Sequence, residues 1–277
     1  MTVTSPPNRP AIIPPDLLLK AYRAGIFPMA DSREDPDVYW VEPKQRAILP
    51  LDGFHCSHSL ARTLRRERFR VTCNAAFDSV IDACAAPRAE AEDSWISTRI
   101  RDSYRTLNRL GQAHSIECWQ GEVLVGGLYG VGFSRVFCGE SMFSLLPDSS
   151  KVALAWLVAA LRRAGARLLD CQFITPHLAS MGAVEIPQAR YLALLDQAQH
   201  AGLAQRDEPG QRTGAGGTAA AGVGAAVGVV AGAGVLGRAA EGAAADLPEG
   251  FAALLDDALA SSSSPGNFIA QSFTHTS

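Results

Sequence analysis

Over residues 122–172 the spacing of apolar positions changes twice, from strand-like to helix-like and back. Two β-type runs, 123–129 and 134–140, flank Gly130 and Gly132, which predicts a turn between them. A polar loop follows over 144–150, then a helical run over 151–164 that Gly165 stops. The apolar run 167–169 ends on Asp170, Cys171 and Gln172. The pattern is a strand–strand–helix–strand unit, and its polar residues (Glu140, Ser141, Ser144, Asp170, Gln172) fall at element ends. Open α/β sheets keep their chemistry at such ends. If Asp170 and Gln172 close a strand, the two-residue period points both to one face and Cys171 to the other.

Upstream, a proline-rich start over 1–15 reads as extended, and 17–24 as a helix capped by Asp16 and ended by Gly25. A helix over 58–69, capped by Ser57, carries Leu60 and Leu64 on one face. Helix 76–85 places Phe77, Val80, Ile81 and Cys84 at core spacing before Pro87 ends it. Helix 100–110 turns Tyr104 and Leu107 inward and stops at Gly111. A polar loop is expected up to Asp93. Strands 115–119 and 123–129 join through Gln120 and Gly121, and Gly126 with Gly127 marks a bulge or a close backbone approach. Residues 178–183 read as a short helical piece, and 186–195 carry the last elements of the body. Over 213–237 there is no charge and only six residues are Val or Leu, too few among the glycines for a membrane span. A flexible linker is expected there. A helix-like face over 251–259 and the apolar Phe268, Ile269 and Phe273 are expected to pack back on the body. These shifts divide the chain into an N-terminal subdomain over 1–50, a main domain over 51–200 and a Gly/Ala-rich linker with a C-terminal segment over 201–277.

With 47% hydrophobic residues, the 277-residue chain can build a sizeable core. Its net charge of −3 is unevenly spread. From residue 201 onward there are three Arg and seven acidic residues, which leaves 22 basic and 21 acidic residues in the body. A basic surface for nucleic acid must therefore be local. Arg62, Arg65, Arg66, Arg68 and Arg70 form such a run, though charge alone reads as a solvated face. The start of the chain lacks the basic-then-apolar pattern of a secretory signal. Six cysteines without a CxxC pair fit reduced thiols in the cytoplasm. Neither His55, Cys56 and His58 nor His114 and Cys118 has zinc-ligand spacing, so no metal is expected.

GGLYG, FCGESMFS, SSK and LLDCQ, in this order and spacing, resemble the core signature of leucyl/phenylalanyl-tRNA–protein transferases. AYRAGIFPM, YWVEP, ILPLDGFHCSHSL, SWIS and GQAHSIECW extend the resemblance over roughly residues 15 to 195. The tail beyond about residue 200 matches no motif. The resemblance implies an α+β fold: a small N-terminal subdomain plus a GNAT-like mixed α/β acyltransferase domain, followed by a low-complexity C-terminal tail. It implies an aminoacyltransferase that moves Leu, Phe and, less, Met from aminoacyl-tRNA to the N-terminal Arg or Lys of acceptor proteins. Such transfer marks the acceptors for N-degron (N-end rule) degradation. No cofactor and no membrane is implied.

An aminoacyl ester is already activated, so such an enzyme mainly aligns its partners and manages one proton. By resemblance Gln172 accepts a hydrogen bond from the attacking amine, Asp170 orients that network, and Glu140 orients the reacting end or recognises the acceptor. Ser144 would contact the acceptor. Leu128, Phe137, Met142, Leu157 and Leu169 would line the amino-acid pocket, several being Leu where relatives carry other apolar residues. Trp40 and Trp95 would hold the terminal adenosine, and the five arginines would meet the tRNA backbone. Trp119 and Trp156 read as core.

Three rival readings differ at identifiable residues. A CoA-dependent N-acetyltransferase needs a Q/R-x-x-G-x-G/A loop, but SLLPDSS precedes the 151–164 helix. A serine hydrolase needs G-x-S-x-G, and GESMF lacks the final glycine of the nucleophile turn. A non-catalytic tRNA-binding protein needs the arginines and tryptophans but not Asp170 and Gln172.

Overall fold

The computed structural model describes residues 11–87, 93–200 and 246–274. The expectations for residues 1–10, for the loop over 88–92 and for the 213–237 linker lie outside these residues. Seven strands form one mixed sheet: β3 (Gln45–Ile48), β4 (Arg70–Cys73), β5 (Ala113–Gln120), β6 (Val123–Phe133), β7 (Val136–Ser144), β8 (Leu168–Gln172) and β9 (Val184–Pro187). Their order is β4-β5-β6-β7-β8-β3-β9. Every neighbour is antiparallel except β7 and β8, which the helical crossover α5 (Ser149–Arg163) makes parallel. A two-stranded ribbon of β1 (Phe27–Met29) and β2 (Tyr39–Val41) stands apart from this sheet.

Two apolar cores cover the two faces of the sheet. On one lie α2 (His58–Arg65), α5, α6 (Pro176–Ala179), α8 (Leu247–Ala260) and α9 (Pro265–Ser272). On the other lie α1 (Pro15–Arg23), α3 (Phe77–Ala85), α4 (Thr98–Arg109) and α7 (Gln188–His200). Alternation along the parallel pair divides its side chains between them. Phe137 and Leu169 face the α5 side, while Val136, Cys138 and Leu168 face the α1–α7 side.

Three local readings are corrected. The turn between β6 and β7 is at Ser134 and Arg135, where Ser134 takes a left-handed φ of 49°. Gly130 lies inside β6, opposite a register shift, where a Cβ would sit 2.3 Å from the Cys138 carbonyl oxygen. That glycine serves close strand approach rather than chain reversal. Helix α2 stops at Arg65 instead of continuing to Phe69, because Glu67 adopts a left-handed φ of 46°. The five arginines are therefore spread over a helix, a turn and a strand. Asp16 does not cap α1; Pro14 precedes the helix, Pro15 opens it, and Asp16 sits in its first turn beside the positive end of the dipole. The Ser57 cap is present, accepting from the Leu60 amide.

The C-terminal residues pack back on the body as their aromatics suggest. Phe251 of α8 lies 5.2 Å from Trp156, and Phe273 lies 4.7 Å from Phe54. Ile269 and Ala270 are fully buried. Truncation after Ser264 is expected to remove roughly 1.5–3 kcal/mol for each large apolar side chain lost from this contact. A clear fall in melting temperature checks this, and an unchanged melt would show that α9 contributes nothing to the fold.

Candidate active site

Beyond Cys138 and Asp170 the ladder between β7 and β8 ends, and β8 continues only against β3. Glu140 and Gln172 face each other across this parting, where the Gln172 Nε2 donates to Glu140 Oε1 at 2.8 Å. The amide presents its NH₂ end to Glu140, the orientation that suits the ionised carboxylate. Its carbonyl, Oε1, is left without a hydrogen-bond partner among the described residues. The backbone at Gln172 has a left-handed φ of 62°, and Phe173 N donates to Cys171 O at 2.7 Å to close a tight three-residue turn. A non-glycine residue held there is strained, and such strain is usually kept at a working site.

Asp170 fixes this turn from beneath. It is completely buried and accepts four hydrogen bonds: Arg46 Nε at 2.9 Å, Arg46 Nη2 at 2.6 Å, Tyr191 OH at 2.9 Å and the Gln172 amide at 2.8 Å. Arg46 is 1% exposed, donates its Nη1 to Gly25 O, and lies between the Phe27 and Tyr191 rings. Burial opposes the Arg46 charge, but hydrogen bonds and attraction from Asp170 outweigh it and hold the guanidinium above its ordinary pKa. Burial, followed by the Asp170 charge, raises the Tyr191 phenol. Both Asp170 oxygens are occupied, and Asp170 holds Gln172 through its backbone amide.

Glu140 is likewise enclosed. Tyr104 OH donates to its Oε2 at 3.0 Å, and Tyr22 OH is hydrogen-bonded to Tyr104 OH. Burial pushes the Glu140 carboxyl up to about 7, against hydrogen bonds from Tyr22, Gln172 and Tyr104 that favour its charged form. The folded chain therefore retains a proton that the unfolded chain has lost between pH 4.5 and about 7. Stability contributed through this group falls as pH rises across that window and is level above it. The full effect is about 3 kcal/mol by the usual conversion. Glu140→Gln should therefore melt near the wild type at pH 5 and clearly higher at pH 8. Equal melting differences at both pH values would contradict the raised pKa.

The surroundings match a known family. The profile described as leucyl/phenylalanyl-tRNA protein transferase covers residues 48–196, and the profile of that enzyme's N-terminal domain covers 12–44. The chain belongs to the leucyl/phenylalanyl-tRNA–protein transferase family. Among its relatives, the transferase of Novosphingobium aromaticivorans is 67% identical over 276 residues, 97% of this chain and 98% of the relative. The transferase of Rhizorhabdus wittichii is 60% identical over 186 residues, 67% of this chain and 75% of the relative. That of Zymomonas mobilis is 59% identical over 187 residues, 68% of this chain and 70% of the relative. Membership makes the chain a transferase.

Within the family framework, the remaining sequence-predicted residues fall into separate places. Leu128, Phe137, Leu157 and Leu169 are buried on the α5 face, and Met142 packs against the same core. This is the face opposite the tyrosines around Glu140, with the β7–β8 parting between the two groups. Trp40 is 40% exposed on β2, opposite Pro28. Trp95 is partly buried, and its carbonyl accepts from Ala30 N just after β1, which brings the two tryptophans to the same N-terminal layer. Ser144 ends β7, where its hydroxyl donates to Leu146 O and meets Ser149 Oγ. The five arginines are exposed and make no ion pair among the described residues. Trp156 is core, whereas Trp119 is half-buried beneath Arg70 and bonded to Thr72. Among the described residues no group of three metal-ligating side chains is found, and no helix is long and apolar enough to cross a membrane.

Sequence reading missed Arg46, Tyr22 and Tyr191 and took Tyr104 for plain core. Strand alternation carried one signal, since Arg46 shares the core-facing side of β3 with Ile48. Nothing local marks the tyrosines, which reach the site from three different helices.

Proposed function

We propose that this chain transfers Leu or Phe, and less readily Met, from aminoacyl-tRNA to the α-amino group of proteins that begin with Arg or Lys. The modified proteins then become N-degron substrates in the cytoplasm. The observation that carries the mechanism is the Gln172 amide, whose NH₂ is taken by Glu140 and whose Oε1 is left to accept from an amine. The α-amino group, with a pKa of about 7.7–8.0, is partly neutral near pH 7 and can attack the ester carbon directly. The new C–N bond forms as the C–O bond to the ribose breaks, and the amine proton is returned to the leaving ribose oxygen. Gln172 aligns the amine, Glu140 fixes the amide, and Asp170 with Arg46 fixes the backbone under it. The step balances without a further reactant.

In this reading the apolar side chains Leu128, Phe137, Met142, Leu157 and Leu169 receive the transferred residue beneath the parted strands. Trp40 and Trp95 stack on the terminal adenosine, a contact worth about 1–3 kcal/mol per base. Ser144 contacts the acceptor. Comparing peptides that begin with Lys, Arg, Gly and Glu tests the acceptor class: only the first two should accept Leu or Phe efficiently, and equal use of all four would remove it.

Arg62, Arg65, Arg66, Arg68 and Arg70 contact tRNA phosphates in this account. Neutralising Arg65, Arg66 and Arg68 together should weaken tRNA binding and flatten its salt dependence, because fewer counterions are released. Transfer from a minimal aminoacyl-adenosine should change little. Equal losses with both donors would make the patch structural.

A further inference from the structure

The family profile ends at residue 196, so α8 and α9 lie outside it. Helix α8 packs on α5, and α9 is fitted to the arginine-bearing end of α2. The left-handed turn at Glu67 sends its carboxylate across to accept from Gly266 N at 3.0 Å, at the start of α9. Gly266 is pressed so closely on α2 that a Cβ there would lie 2.2 Å from Leu64 O. At the other end of α9, Phe273 sits on Phe54, and the Arg162 guanidinium lies 5.8 Å from its ring.

This contact leaves a hollow on each side. The larger, about 920 Å³, has Arg62, Arg65 and Arg66 on one wall and Phe273 with Thr274 on another. The smaller, about 310 Å³, sets Arg68 and Arg70 against Leu255 and Pro265. The carboxylates that line them are already engaged: Asp52 meets Arg162 at 3.2 Å, and Glu67 holds Gly266. Arginines nevertheless outnumber carboxylates in both hollows, three against Asp52 in the larger and two against Glu67 in the smaller, and they face walls built by the C-terminal helices. Such a concave cationic surface suits a chain of phosphodiesters.

We propose that α9, with Phe273 and Thr274 after it and Leu255 of α8 beside it, forms one wall of an RNA-backbone cleft whose other wall is the end of α2, so that these residues belong to the tRNA-binding surface. The proposal rests on the reading of the arginines as phosphate contacts, and the test separates the two. Thr274 is exposed in the larger hollow and, among the described residues, donates only to Gln271 O of its own helix end. Uncharged tRNA binding by the full chain is measured over a series of salt concentrations for the wild type, Thr274→Glu, Thr274→Lys and Arg65→Ala, with melting temperatures alongside.

Thr274→Glu should weaken binding about fivefold, the weight of one charge at about 4 Å in water. Thr274→Lys should tighten it and steepen the salt dependence, with neither variant shifting the melt. Opposite signs for the two substitutions are what a merely structural position would not give. If Arg65→Ala weakens binding while both Thr274 variants bind like the wild type, the wall assignment is wrong and the arginine reading stands. If all three bind like the wild type, both fail. Competition by poly-glutamate as strong as that by RNA would overturn the assignment to nucleic acid.

Discussion

Asp170→Ala is expected to cost the fold as much as the chemistry, and the reason is Arg46. Removing the carboxylate takes away two guanidinium bonds and the Tyr191 partner, leaving a cation that is 1% exposed. An uncompensated buried charge of this kind costs about 3–5 kcal/mol, a large share of the roughly 5–15 kcal/mol that holds a domain together. The variant should melt far below the wild type and express poorly. Pairing it with Arg46→Met removes the stranded charge and should restore much of the melting temperature. Transfer should stay low in the double variant, because the Gln172 backbone has lost its anchor. A single Asp170→Ala variant with a wild-type melt would show that the buried pair is not required for the fold.

Gln172→Ala should act in the opposite way, sparing the fold and removing the chemistry. The side chain has one hydrogen bond, to Glu140, and that partner keeps Tyr104. Alanine also leaves the left-handed backbone strain in place, while Gln172→Gly would relieve it. In the proposed mechanism, loss of the acceptor for the amine should lower single-turnover transfer by at least about a hundredfold, the usual scale for lost alignment of a reacting group. Affinity for tRNA should be nearly unchanged. Gln172→Glu sharpens the test, since it sets two carboxylates face to face across the parted strands. Its transfer rate relative to the wild type at the same pH should recover as pH falls and the pair takes up a proton. Near-wild-type single turnover by the alanine variant would remove Gln172 from the mechanism.

The main sheet strands and the long helix were legible because their apolar spacing is strong: the 151–164 helix and the strand ending at Gln172 stand where periodicity puts them. The β6–β7 turn was not, because a glycine needed for close approach looks in sequence like one needed for a turn. Likewise, nothing in RTLRRERF shows that Glu67 will adopt a left-handed conformation and reach a helix two hundred residues away. The motifs single out Gln172, Asp170 and Glu140, which the fold brings together, yet their hydrogen-bond arrangement was not visible there. That arrangement depends on Arg46, Tyr104 and Tyr191, which the fold brings in from β3, α4 and α7. Sequence motifs name the residues at the end of a strand; only the packing shows which of their atoms are already occupied.

The most direct test of the account is a transfer assay with purified chain, Leu- or Phe-charged tRNA and a short peptide beginning with Lys, without ATP or CoA. A second reaction uses the same peptide with its N-terminus acetylated. The account predicts that the amino acid moves to the free α-amine and not to the blocked peptide, and that the product carries one new peptide bond at its N-terminus. Release of free Leu or Phe with no peptide product, or equal labelling of the blocked peptide, would contradict it.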